Sequence, residues 1–310
     1  MISTFIVVLP VFALIFSGWG AFKLKILGKH AITELNRFVV YLALPTLLFD
    51  ITANSHSSEL WQPDFIAAYS ISSVIAFSLP FLIQFRRNLP LADKAIGGLN
   101  AAYPNSGYMG IPLSIIAFGS DVLPTTIISM IVTLCVTFGV AIILIEIGTQ
   151  KAANPLEFTW KVTRSLIRNP LMVAPTLGGI IAYLGWTLPA PIETFLKLLG
   201  GAAAPCALVA LGLFLAVPRK MQREDTAEIG FLVFTKLIIH PLVTWIVAVY
   251  FFNLPLLIAQ NAALLAALPA GTGPFMLAEH YGRSPGITSN VILYSTALSV
   301  ITLSGLLALM

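Results

Sequence analysis

Two apolar segments of this 310-residue chain are interrupted at their centres by proline and glycine, and the interruptions fall at corresponding places in its two halves. The first segment, Lys94–Leu113, carries Tyr103-Pro104-Asn105-Ser106-Gly107 at its middle. The second, Gln260–Glu279, carries Leu268-Pro269-Ala270-Gly271-Thr272-Gly273-Pro274. A helix unwound inside hydrocarbon exposes peptide groups that lipid cannot satisfy, so each break must face protein or a watery cavity. Paired interruptions of this kind point to the substrate site of a secondary transporter.

The chain is 58% hydrophobic and 10% charged, with a mean hydropathy of +0.92. Soluble globular domains do not have that balance, and a polytopic membrane protein is expected. The length suits roughly ten spans of about 20 residues and leaves no room for a soluble domain. The expected spans are Ile2–Phe22, Leu35–Ala53, Phe65–Phe85, Lys94–Phe118, Val122–Ile147, Leu166–Leu184, Ile192–Val217, Ala227–Phe252, Leu254–His280 and Gly286–Leu309. The N-terminus lacks the basic region of a secretory signal, so its apolar stretch is expected to stay as a span. Cys135 and Cys206 lie inside apolar segments and read as packed residues, not as a disulfide or metal ligands.

The charges alternate from loop to loop. Lys23, Lys25 and Lys29 fill the first loop, and Arg86, Arg87 and Lys94 the third. Lys151, Lys161, Arg164 and Arg168 fill the fifth; Arg219, Lys220 and Arg223 the seventh; Arg283 the ninth. The even loops carry Glu59, Asp64, Asp121 and Glu193 and almost no Lys or Arg. Odd loops are therefore expected in the cytoplasm, with both termini outside a cell (inner or plasma) membrane. The net charge of +4 reflects these loops and is not a nucleic-acid signal.

Five spans per half invert the second half. Residues 1–147 form the first expected repeat, 148–165 a cytoplasmic linker and 166–310 the second repeat. Echoes at a spacing of about 160 residues support this: Arg37…Pro45 against Lys197…Pro205, and the two breaks against each other. The expected fold is all-α, ten transmembrane helices in a five-plus-five inverted repeat, with broken fourth and ninth helices crossing near the midplane. Trp160 among basic residues suits a short linker helix lying at the membrane interface.

Asn100-Ala-Ala-Tyr-Pro-Asn-Ser-Gly-Tyr-Met-Gly-Ile-Pro-Leu113 resembles the fourth-span signature of the bacterial branch of the auxin efflux carrier family. Lys236-Leu-Ile-Ile-His-Pro241 resembles its eighth-span pattern, and Leu268-Pro-Ala-Gly-Thr-Gly-Pro-Phe275 with Ala278-Glu-His-Tyr-Gly282 its ninth. The resemblance covers essentially the whole chain. It implies the crossed-helix fold of bile-acid symporters and sodium–proton antiporters, and elevator-like transport of small organic anions. Bacterial members are linked with malate, malonate and similar carboxylates, and plant members with auxin. Spans 3–5 and 8–10 would form the moving core, spans 1, 2, 6 and 7 the scaffold, and two chains a homodimer by family analogy. The chain lacks the long central hydrophilic loop of the long plant carriers, and Ala270 stands where the family often has Asn.

At the fourth-span break, Pro104 removes a backbone donor, and Gly107 gives the chain room to turn. The half-helix beginning near Ser106 points its free N–H groups into mid-membrane, where they attract a carboxylate. Asn105 and Ser106 add side-chain donors, and Asn100 lies one turn before the break. At the ninth, Pro269, Gly271, Thr272 and Gly273 lie together, with Thr272 or Gly273 near the cap. The bland readings are a proline kink at the first break and an extramembrane turn at the second.

Lys236 lies inside the eighth span, where a charge is costly and marks function by default. Two roles compete: pairing with the substrate carboxylate, or acting as a tethered cation on the unwound carbonyls where relatives bind sodium. The second is preferred, since it dispenses with ion coupling; snorkelling is the bland alternative. His240, one turn on, is a packing residue or a proton-coupling group.

The leading reading is a secondary active or facilitative carrier of small organic anions, with the lipid bilayer as its other partner and no cofactor, metal or nucleic acid. The alternatives are a cation-coupled antiporter or symporter of the same fold, or a non-transporting receptor. No Asp or Glu sits mid-span in spans three to five or eight to ten, which counts against a proton–sodium exchanger. An enzyme is not expected: there is no phosphate-binding Gly-Lys-Ser/Thr loop, paired Asp, Ser–His pair or His-Glu-x-x-His set.

Overall fold

A computed structural model describes residues 2–54, 61–84, 89–149, 155–217, 223–283 and 285–310. Arg86, Arg87, Lys151, Arg219, Lys220 and Glu59, on which the charge alternation draws, lie outside them, as does Phe85. The described chain is built of helices joined by short connections, with one isolated bridge between two loops. The helices are α1 (Ile2–Lys23), α2 (Lys29–Ala53), α3 (Pro63–Gln84) and α4 (Leu91–Ala102). A π-turn, Ser106–Gly110, leads into α5 (Ile111–Phe118). There follow α6 (Ser120–Thr149), α7 (Pro155–Arg168), α8 (Pro170–Tyr183) and α9 (Ala190–Ala216). The last are α10 (Thr226–Phe251), α11 (Leu256–Ala267), α12 (Gly273–His280) and α13 (Gly286–Leu309).

Among the described residues, six helices are long and apolar enough to cross a membrane: α2, α3, α6, α9, α10 and α13. The chain is a polytopic α-helical membrane protein. Both interrupted segments are pairs of shorter helices, α4 with α5 and α11 with α12. Packing is densest within two groups. One holds α1, α2, α8 and α9; the other holds α3, α4, α6, α10, α11 and α13.

Two helix starts differ from expectation. Helix α2 begins at Lys29, well before Leu35. Lys29 and His30 are exposed, so the helix starts in the polar loop and runs into its apolar part. The linker helix α7 runs to Arg168 and takes the first residues expected of the sixth span. Pro170 forces the separation, because it lacks an N–H and keeps the preceding residue out of helical backbone angles. Asn169 takes φ −77°, ψ 115°, and its side chain caps α8 by accepting from Leu171 N at 3.0 Å.

The ends of α4, α6, α8 and α12 are tied together by polar side chains. Arg283 Nε donates to Asp93 Oδ1 at 2.7 Å, and its Nη2 pairs with Asp93 Oδ2. Tyr281 Oη donates to Glu146 Oε1 at 2.7 Å and accepts from Asn169 Nδ2 at 3.3 Å. Glu146 is buried in this network.

Candidate functional site

The same proline rule makes both breaks. Tyr103, before Pro104, takes φ −105°, ψ 87°. Leu268, before Pro269, takes φ −56°, ψ 149°. Neither is helical, and the two extended stretches meet: Pro104 and Ala270 form an antiparallel bridge. Asn105 N donates to Pro269 O at 2.8 Å, and Gly271 N donates to Tyr103 O at 2.9 Å. Ala270 N donates to Ser295 Oγ on α13 at 3.1 Å. Each break therefore satisfies the other's exposed backbone, which answers the cost of unwinding a helix in hydrocarbon.

Gly271 and Gly273 are required by the Tyr103 ring. A Cβ at Gly271 would stand 2.8 Å from Tyr103 Cε1, and one at Gly273 2.6 Å from Tyr103 Cζ. Phe138 backs the ring at 5.4 Å between centroids. The amino-terminal end of α12 is thus covered by an aromatic ring, and Thr272 beside it is half-buried. The corresponding end at Ser106 is different. Gly107 is exposed, Asn105 is half-buried, and Ser106 is fully buried with an Oγ that has no hydrogen-bond partner among the described residues. The first N–H groups of this turn have no intrahelical acceptor. Of the two half-helix ends, the Ser106 end is the one that no aromatic ring is seen to cover.

Asn100, one turn before the break, reaches α13, where its Nδ2 donates to Thr288 Oγ1 at 3.0 Å. Asn261 on α11 does the equivalent: its Nδ2 donates to Thr125 and Thr126 Oγ1 on α6 at 3.0 and 3.1 Å. Both asparagines are buried, and each leaves its Oδ1 unpartnered among the described residues.

Lys236 is fully buried on α10 and points at the second break. Its Nζ donates to Ala266 O in the last turn of α11 at 2.5 Å. A helix end of this kind carries partial negative charge, and an ammonium there complements it. His240 Nδ1 lies 3.4 Å from the same Nζ, and His240 Nε2 has no partner among the described residues. The Tyr69 ring faces His240 at 6.4 Å. The structure thus gathers Asn105, Ser106, Pro269, Gly271 and Gly273 at one point, with Lys236 and His240 behind the second break. Sequence reasoning missed three participants: the Tyr103 ring, Thr288, and the Thr125–Thr126 pair. The spacing of about 160 residues, which relates Asn100 to Asn261, also relates Thr126 to Thr288 and was the available signal. Among the described residues, no group of three His, Cys, Asp or Glu side chains gathers to hold a metal ion.

Two mutually paired helix breaks in a multi-pass helical protein are an arrangement that secondary transporters use. The sequence matches the family described as "Membrane transport protein" over residues 3–307. The chain belongs to that family, the auxin efflux carrier family, whose members are transporters and not enzymes. It is 33% identical to a candidate malonate transporter of Rhizobium meliloti (strain 1021), over 97% of this chain and 94% of that one. It is 23% identical to auxin efflux carrier component 8 of Arabidopsis thaliana, over 91% and 90%. An uncharacterized transporter of Methanothermobacter thermautotrophicus is 26% identical over 96% and 95%.

Proposed function

We propose that the chain carries small organic anions, with carboxylates of the malonate type as the first class to test, by secondary active or facilitative transport. The observation that carries this reading is the polar helix end at Asn105–Ser106, held beside the second break by backbone hydrogen bonds. A carboxylate fits such an end. The names of the Rhizobium and Arabidopsis relatives agree with an organic acid as cargo.

The proposed architecture is ten spans in two inverted repeats. The matched pairs Asn100–Thr288 and Asn261–Thr125/Thr126 favour it, since exchanging the halves turns one into the other. The two packing groups favour a scaffold of α1, α2, α8 and α9 and a moving core of α3 to α6 and α10 to α13, with α7 as the linker between the halves, which is what an elevator requires. A homodimer through the scaffold is part of the proposal, as is a cell membrane with both termini outside. Single cysteines at Lys25 and Ser120, both exposed, should then label from opposite sides, Lys25 from the cytoplasm, once Cys135 and Cys206 are replaced. Labelling of both from one side would end this topology.

Counterflow in proteoliposomes tests the function. Vesicles loaded with unlabelled malonate, malate or another small carboxylate should accumulate the labelled acid above the protein-free control. No accumulation for any acid of the panel, with correctly inserted protein, would remove the carrier reading.

A further inference from the structure

Helix α7 presents a face that the substrate site does not use. Leu156, Trp160 and Ile167 are 82%, 64% and 67% exposed. Their spacing of four and seven residues places them along one side of the helix. Arg164 follows Trp160 by one turn, and Arg168 follows Arg164 by one turn; both are exposed. The third basic residue, Lys161, is held by Glu157 at 2.6 Å. Among the described residues no acid pairs with Arg164 or Arg168.

The surroundings say what covers this face. Helix α7 packs against α6 and α8. On α8, Leu177 and Ile180 are about half exposed, an apolar surface suited to lipid in a multi-pass protein. Helix α7 adjoins that helix directly, separated from it only by Asn169. A helix lying there inserts its apolar side chains at the boundary between headgroups and acyl chains. Arginines on its flank then stand at the depth of the lipid phosphates, and a guanidinium binds phosphate oxygens in pairs.

We propose that α7 is a binding site for anionic phospholipid. Leu156, Trp160 and Ile167 enter the acyl region, and Arg164 and Arg168 hold the headgroup phosphate. Two guanidiniums without a counter-ion among the described residues favour a lipid of net negative charge over a zwitterionic one, whose own cation competes for the same phosphate. Each arginine near an anionic surface enriches such lipid on the order of fivefold. The site does not depend on the identity of the substrate.

The test uses the full chain in liposomes of phosphatidylcholine containing a minor fraction of phosphatidylglycerol. In one preparation the phosphatidylglycerol carries brominated acyl chains; in the other an equal amount of phosphatidylcholine does. The signal of Trp160 is the emission of the wild type less that of Trp160→Phe. It should be quenched several-fold more by brominated phosphatidylglycerol than by brominated phosphatidylcholine. The double variant Arg164→Gln, Arg168→Gln should lose that preference while both lipids still quench. Equal quenching by the two lipids in the wild type would overturn the proposal. So would the absence of quenching by either, which would place α7 away from the bilayer. A preference that survives the double variant would take the headgroup away from these arginines.

Discussion

Lys236→Ala is expected to reduce transport to the level of empty vesicles, and added sodium to restore part of it. The side chain is fully buried, and its ammonium ends 2.5 Å from the Ala266 carbonyl, three residues before Pro269. Alanine leaves that carbonyl and the negative end of α11 without their cation. A hydrogen bond from a charged donor is worth about 1.5–3 kcal/mol, and a buried acceptor left without its partner adds its own cost. The loss falls on the segment that holds Pro269 O against Asn105 N, so both breaks feel it. A free sodium ion at the same carbonyl would replace part of the lost charge. Should Lys236 pair with the substrate instead, sodium would do nothing and apparent affinity would fall. Transport and substrate binding at wild-type levels in Lys236→Ala would remove both roles. A thermal melt of the purified variant separates lost function from lost fold.

The breaks were legible because their cause is local. Pro104 and Pro269 each act on the residue before them, and Tyr103 and Leu268 leave helical geometry as that rule requires. What the breaks bind to was not legible, because the partners lie far apart in sequence. Nothing near Gly271 or Gly273 announces that the Tyr103 ring lies over them, and nothing near Asn100 announces Thr288, 188 residues away. Lys236 was flagged by its cost in a membrane, but its partner, Ala266 O, is a backbone group that no side-chain pattern marks. The start of the sixth span shows a different limit. Leu166 and Ile167 are apolar and extend a hydrophobic window backwards, yet they belong to an amphipathic helix closed by Asn169 and Pro170. Hydropathy averages over that boundary, whereas proline and a capping asparagine define it.

Asn105→Ala should weaken binding of the transported carboxylate roughly ten- to hundredfold, the equivalent of about 1.5–3 kcal/mol for a lost hydrogen bond to a charged group. The position separates binding from folding unusually well. Both bonds that Asn105 contributes to the crossing come from its backbone: N to Pro269 O at 2.8 Å, and O from Met109 N at 3.0 Å. Alanine keeps them, so the antiparallel pairing of the breaks should persist and the melting temperature should barely move. Only the half-buried side chain is removed, next to Ser106, whose buried Oγ awaits an acceptor or donor. The equivalent end of α12 cannot take over, because the Tyr103 ring covers it within 2.6 Å of where a Gly273 Cβ would stand. Pro104→Ala should act differently. It restores an N–H and lifts the restriction on Tyr103, so the helix can rewind across the break. Turnover should then fall more than affinity. The measurement is a binding titration with the acid identified by counterflow, run beside a thermal melt on each variant. Wild-type affinity in Asn105→Ala would mean that the anion sits elsewhere and that the fourth-span break serves only to shape the helix.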